Sequence, residues 1–240
     1  MDAFIVTLRE GFEASLVVGL ILAYLVKTGQ KAEYARTVWA GVAAALAASV
    51  LVGGILFAAV GELEGSSEAV FEGTAMIVAA GVLTWMVFWM RKQARTIGGH
   101  LRAQVSEAIR TGSALALAGV AFVAVGREGV ETALFLFAAS GESAPVVTIA
   151  GGLLGLGSAT ALGALFYRGA IRIDLRRFFA VTGLLVIVLA AYLLFNGLHE
   201  FGEAGAGETL ELAAPLAGAL YAAGFLALFL RRPATASADA

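Results

Sequence analysis

Seven predominantly apolar runs account for most of the 240-residue chain: 3–26, 37–60, 69–90, 113–138, 145–167, 178–198 and 212–230. A helix rises 1.5 Å per residue, so about 20 residues cross the hydrocarbon core of a bilayer. With no water available there, each backbone N–H and C=O must be paired within its own segment, which makes helices the natural solution. Only 14 % of the residues are charged and 60 % are hydrophobic, whereas a soluble domain carries about 25 % charged residues. The chain is therefore expected to be an all-α integral membrane protein with seven transmembrane helices. The first apolar run lacks a basic flank on its N-terminal side and carries charges inside it, so it is expected to be a retained helix and not a cleaved signal peptide. There is no cysteine, which excludes disulfides, thiolate metal sites and redox thiols.

The loops alternate in charge. Lys27, Lys31, Arg36, Arg91, Lys92, Arg95, Arg102, Arg110, Arg168, Arg172, Arg176, Arg177, Arg231 and Arg232 all fall on one side of the membrane under a seven-span arrangement. The positive-inside rule makes that side cytoplasmic, with the N-terminus outside and the C-terminus inside. The loop 91–112 is long enough for a short surface helix. Asp2, Glu62, Glu64, Glu68, Glu142, Glu203, Glu208 and Glu211 collect on the outer side without a single Lys or Arg. Exclusion of cations by the topology rule explains this; an electrostatic funnel for cations is a second reading compatible with the first. The basic loops are topology determinants and do not read as nucleic-acid sites.

Two cations remain, Arg9 and Arg127, and both lie inside apolar runs. FIVTLREGFEASL (4–16) aligns with FVAVGREGVETAL (122–134), and three spans separate the copies. An odd number of spans reverses direction, so the pattern predicts an inverted-topology repeat. Helices 1–3 (residues 1–111) form one unit and helices 4–6 (112–201) the other. Helix 7 (202–232) is extra, and 233–240 is a disordered tail. Transporters built this way bind substrate near the membrane interior, between the repeats.

Within each cluster the two glutamates stand at i and i+3 and share a helix face. Two such helices facing one another would bring Glu10, Glu13, Glu128 and Glu131 together, with Arg9 and Arg127 beside them. Gly11 and Gly129 permit close helix approach. Four carboxylates against two guanidinium groups leave a formal charge of −2 inside the membrane, a costly arrangement unless the site holds a cation or takes up protons. An all-oxygen anionic site selects hard cations. The competing reading is that the ion pairs only pin two helices together.

The two REGxE clusters, with FEGTAMIVAAGVLTWMVFWM (71–90) and NGLHEF (196–201), resemble the iron permeases of the oxidase-dependent iron transporter family. That family includes the fungal high-affinity iron permeases and the bacterial Efe-type permeases. The resemblance covers helices 1–6. It implies a multi-pass permease of the plasma (inner) membrane, importing ferric or ferrous iron through its REGxE glutamates, with Arg9 and Arg127 as the motif arginines. Iron is then a transported substrate and no cofactor is permanently bound. Iron oxidation or delivery falls to an extracytoplasmic partner protein. Relatives proposed to move lead keep another divalent metal as an alternative.

Further polar residues near the outer helix ends, Glu72, His199 and Glu200, are candidates for a secondary metal site or approach path, together with Glu62, Glu64 and Glu203 in the acidic loops. A solvated helix end explains Glu72 equally well, whereas His199 beside Glu200, with Asn196 on the same helix, favours handing a metal inward from the acidic loop. His100 is expected to face water. Trp89 and its neighbours are expected at the membrane interface, where Trp is enriched. Two other functions compete. A di-iron oxidase normally uses Glu-x-x-His pairs, and no histidine follows either REGxE at that spacing. A proton-coupled carrier would use the glutamates as a relay.

The charge pattern generates a topology prediction. A single cysteine placed at position 30 or 100 of this cysteine-free chain should resist an impermeant thiol reagent in intact cells and react after permeabilisation. Labelling from outside would overturn the orientation.

Overall fold

A computed structural model describes residues 2–60, 66–93, 97–138, 145–170, 174–202 and 208–230. Those residues form eight α-helices and no strand: α1 (Asp2–Lys27), α2 (Lys31–Val60), α3 (Ser66–Gln93), α4 (Ile97–Arg110), α5 (Ala114–Ala138), α6 (Pro145–Tyr167), α7 (Leu175–Phe201) and α8 (Glu208–Leu230). All seven apolar runs are helical, and α4 is the short helix anticipated in the loop 91–112. Glu62, Glu64, Glu203 and the tail 233–240 lie outside the described residues.

Five of the helices, α2, α3, α6, α7 and α8, are long and apolar enough to cross a membrane. The 26-residue α1 and 25-residue α5 are longer than α6 and α8, but each carries an arginine and two glutamates within its apolar run. Large apolar side chains point outward along the long helices: Val50, Leu115, Val146 and Leu212 are each at least 75 % exposed. In water such surface would be an aggregation hazard; in lipid it is the solvated face.

Small residues fix which helices meet. Along α1 and α6 they form a ladder: Gly151 beside Ala3 and Phe4, Gly155 against Thr7, Gly11 against Leu156 and Ala159, Gly163 against Ser15, and Gly19 against Tyr167. The numbers rise together, so the two helices run parallel. A second ladder joins α2 to α5, with Gly41 on the backbone of Ala118, Gly126 on Ala45, Gly129 on Ser49 and Gly53 on Ala133. Those helices are parallel too. By contrast α3 and α7 are antiparallel: Gly73 meets Gly197 and Glu200 near one end, and Gly183 meets Val87 near the other. Close backbone approach through small residues is the usual basis of helix association in lipid, where apolar surface gains nothing from leaving the solvent.

Two apolar clusters fill the interior. One joins α3, α5, α7 and α8 through Met76, Leu83, Met86, Phe135, Ile187 and Phe229. Tyr221 fastens α8 to α3 by donating to the Ala80 carbonyl at 3.2 Å and sharing a hydrogen bond with Thr84. The other packs the C-terminal half of α1 (Val18, Ile21, Leu25) against the N-terminal half of α5 (Leu117, Ala121, Val125), so α1 and α5 are antiparallel. The amphipathic α4 closes this second cluster with Leu101, Val105 and Ala108. Its exposed face carries the Glu107–Arg110 ion pair. Gly29, Gly112 and Gly169 end α1, α4 and α6 in the left-handed conformation that glycine adopts without penalty.

The crossing of α3 and α7 gives a packing prediction. A Cβ at Gly197 would stand 2.9 Å from the Gly73 carbonyl oxygen, whereas one at Gly54 or Gly224 would meet nothing within 4 Å. Gly197→Val should therefore lose about 1–3 kcal/mol through forced separation of the helices, read as a lower thermal midpoint in detergent. Gly54→Ala and Gly224→Ala should melt like the parent.

Candidate metal site

The charged clusters meet where α1 and α5 pack against each other. One carboxylate oxygen from each of Glu10, Glu128 and Glu131 can be chosen so that all lie within 4.8 Å of one another. That spacing suits three ligands around one cation. Glu10 is 1 % exposed, and Glu128 is buried as well. The group draws one carboxylate from α1 and two from α5, so neither helix could form it alone. It contains no histidine; His100 is exposed on α4 beside Gln104.

Each arginine serves its own cluster. Arg9 Nη1 donates to Glu10 Oε1 at 2.6 Å, and its Nη2 stands 3.2 Å from Glu13 Oε1. The second contact is an ion pair without hydrogen-bond alignment, since Glu13 Oε1 has no hydrogen-bond donor. Arg127 Nε donates to Glu131 Oε1 at 3.1 Å and lies 3.6 Å from Glu128 Oε1. Both arginines therefore pair with both glutamates of their motif, and the pairing still leaves oxygens free. Glu10 Oε2, Glu128 Oε2 and Glu131 Oε2 are buried with no hydrogen-bond partner. A buried acceptor without a donor is unfavourable. All three belong to the residues whose carboxylates converge.

The glycines of the motif act as anticipated, and their neighbours are now specified. Gly11 lets α1 press on Leu156 and Ala159 of α6, while Gly129 leaves room for the buried hydroxyl-bearing Ser49 of α2. Each motif helix is thus backed by a helix from the other half of the sequence. Glu13 is 4 % exposed and bound to Arg9 but stands outside the three-carboxylate group.

The remaining candidates lie elsewhere. Gly73 of α3 abuts the Glu200 side chain of α7, which places Glu72 and Glu200 at the α3–α7 crossing. His199 is exposed and stacks on Phe195 at a ring separation of 6.2 Å. None of the three joins the Glu10–Glu128–Glu131 group. The opposite end of α3 does reach the site. Arg127 lies over the Trp89 ring, 4.3 Å from its centroid, and Arg9 Nη2 donates to Met90 Sδ at 3.4 Å. Trp89 thus has a partner within the fold that the interfacial expectation did not include. Trp enrichment at interfaces is a statistical expectation, and here the indole is recruited by a cation that the sequence places some forty residues away. Trp85, stacked on Trp89, is 61 % exposed.

Residues 1–213 match the iron permease FTR1 family. The chain belongs to that family. Ferrous iron permease EfeU of Escherichia coli O6:H1 (strain CFT073) is 39 % identical over 204 residues, covering 84 % of this chain and 74 % of the relative. EfeU of Escherichia coli O157:H7 shows the same identity and coverage. EfeU of Yersinia pestis is 36 % identical over 204 residues, with 84 % and 72 % covered. No solved structure matches the chain. Family membership makes the protein a transporter and not an enzyme, which removes the oxidase reading, and its apolar helices make it a multi-pass protein of the plasma (inner) membrane.

Burial ranks the two arginines. The Arg9 side chain is 3 % exposed and that of Arg127 is 34 % exposed. Removing one partner of a buried ion pair costs about 3–5 kcal/mol. Arg9→Met should approach that loss, whereas Arg127→Met should lose clearly less because its ion pairs are only partly buried. Thermal midpoints and folded yield after detergent extraction would check the ranking.

Proposed function

We propose that this protein imports iron as Fe(II), and that Glu10, Glu128 and Glu131 form the intramembrane site through which the ion passes. The observation that carries the reading is the set of three unpartnered, buried carboxylate oxygens drawn from two antiparallel helices of an iron permease family member. Charge balance favours a divalent ion. Glu10, Glu13, Glu128 and Glu131 against Arg9 and Arg127 leave two negative charges, which Fe(II) cancels and Fe(III) would overshoot. The similar proteins carry the name ferrous iron permease. Glu13 acts through Arg9, holding the guanidinium while Glu10 keeps one oxygen free.

The same proposal includes seven spans related by an inverted repeat, with the N-terminus outside. The packing supports it. The α1–α6 and α2–α5 ladders exchange under a two-fold operation that swaps α1 with α5 and α2 with α6, and the α3–α7 pair maps onto itself. In this arrangement α1 and α5 are the spans with charges inside them, and the site lies at their crossing, where the repeat unit alone is incomplete. Delivery of the ion by a separate extracytoplasmic protein completes the proposal.

Uptake of radiolabelled iron into proteoliposomes, with Fe(II) and Fe(III) supplied separately, tests the reading. The parent should accumulate Fe(II). Glu10→Gln, Glu128→Gln and Glu131→Gln, each sparing size but removing a charged ligand, should each reduce uptake by at least about tenfold. Glu13→Gln should lose less. Near-parental transport by all four variants would reduce the clusters to helix-pinning ion pairs.

A further inference from the structure

Both motif arginines are held from behind by a single face of α3. Met86, Trp89 and Met90 stand at i, i+3 and i+4 and so lie together on that helix. Met86 is fully buried. Its Sδ lies 3.9 Å from Arg9 Nη1, and Met90 Sδ accepts from Arg9 Nη2 at 3.4 Å. The Trp89 ring underlies the Arg127 guanidinium at 4.3 Å. One helix therefore touches the arginine of each motif copy, although the two arginines are 118 positions apart in sequence, Arg9 against Arg127.

The choice of partners is chemically unusual. A guanidinium carries five N–H donors in a planar fork suited to bidentate pairing with carboxylates. Four carboxylates stand beside these two arginines, and four of their oxygens lack a donor: Glu10 Oε2, Glu13 Oε1, Glu128 Oε2 and Glu131 Oε2. Arg9 nevertheless donates from Nη2 to a thioether, although that nitrogen stands 3.2 Å from Glu13 Oε1, and leaves Nε without a partner. Thioether sulfur is a weak, polarisable acceptor, and an indole face attracts a cation without accepting a conventional hydrogen bond. Both hold a guanidinium near the carboxylates without adding charge of their own.

We propose that Met86, Trp89 and Met90 are positioning residues that berth Arg9 and Arg127 and keep their donors off the oxygens that receive the transported ion. Without the berth, the arginines fold onto the free carboxylate oxygens and compete with the ion for them. The berth thus sets affinity, while the carboxylates supply the ligands. This inference rests on the iron-site reading above and deepens it.

The test is equilibrium binding of radiolabelled Fe(II), kept reduced with ascorbate, to purified full-length protein. Thermal midpoints of the variants are measured alongside. Trp89→Leu keeps an apolar side chain but removes the aromatic face, and should weaken binding about tenfold. Trp89→Phe, which restores an aromatic face, should recover to within about threefold of the parent. Met90→Leu, close to Met in volume but without the sulfur acceptor, should also weaken binding severalfold. The effect must act through the arginine, so Trp89→Leu introduced into Arg127→Gln protein should change Kd by less than about twofold. Equal losses in Trp89→Leu and Trp89→Phe, or an undiminished Trp89→Leu effect in the Arg127→Gln background, would overturn the berth. If Trp89→Leu does not accumulate folded, Met90→Leu compared in the parent and in Arg9→Gln protein gives the same decision. Glu10→Gln and Glu128→Gln separate the two levels. If they bind Fe(II) like the parent, the metal-site reading fails; if they lose binding while the Trp89 and Met90 variants do not, the berth alone fails.

Discussion

The structure depends on six charged side chains gathered where α1 and α5 cross, four of them buried. Glu10, Glu13 and Glu128 are buried, as is Arg9, while Glu131 and Arg127 are partly so. Ions removed from water lose several kcal/mol of solvation each, and mutual attraction recovers this only with good geometry. The geometry present is good but incomplete. Each arginine reaches both glutamates of its motif, and each motif keeps oxygens without a donor. Those donor-free oxygens are the feature on which the proposed cation site rests.

Such a cluster requires helices held closely enough to keep lipid and water out. The two small-residue ladders do this. Along α1–α6 and α2–α5, a glycine or another small residue recurs about every fourth position, one helical turn apart. Gly11 and Gly129 belong at once to the ladders and to the charged motifs. The motif glycine therefore has a packing role tied to the site: it seats each carboxylate helix on a rigid neighbour, so the glutamates are positioned by backbone contact and not by flexible side chains.

Around this core the helices fall into two groups. The first contains α1, α2, α4, α5 and α6, and the second α3, α7 and α8. The charged cluster lies on the seam between them, since Arg9 and Arg127 of the first group contact Met86, Trp89 and Met90 of the second. Phe12 of α1, next in sequence to the motif glycine, bridges the same seam to Phe178 of α7 at a ring separation of 4.7 Å. A cluster so placed is sensitive to any relative movement of the two groups, which fits the site proposed above.

Much of this was legible in the sequence because the bilayer imposes long-period, local rules. Span length, loop charge and the repeated REGxE each involve residues close in the chain, so all seven long helices, the surface helix, the family and the residues of the charged cluster could be read directly. The antiparallel relation of α1 and α5 followed from counting spans. Tertiary structure alone decided which carboxylates converge. Glu10, Glu128 and Glu131 form the group while Glu13 turns to Arg9, because helix rotation and depth depend on packing against α6 and α2, which periodicity does not encode. It also decided that α3 meets the site at its Trp89 end and not its Glu72 end. An apolar aromatic next to a helix terminus looks the same in sequence whether it faces lipid headgroups or a guanidinium on another helix; only the three-dimensional crossing of the helices places Arg127 over Trp89.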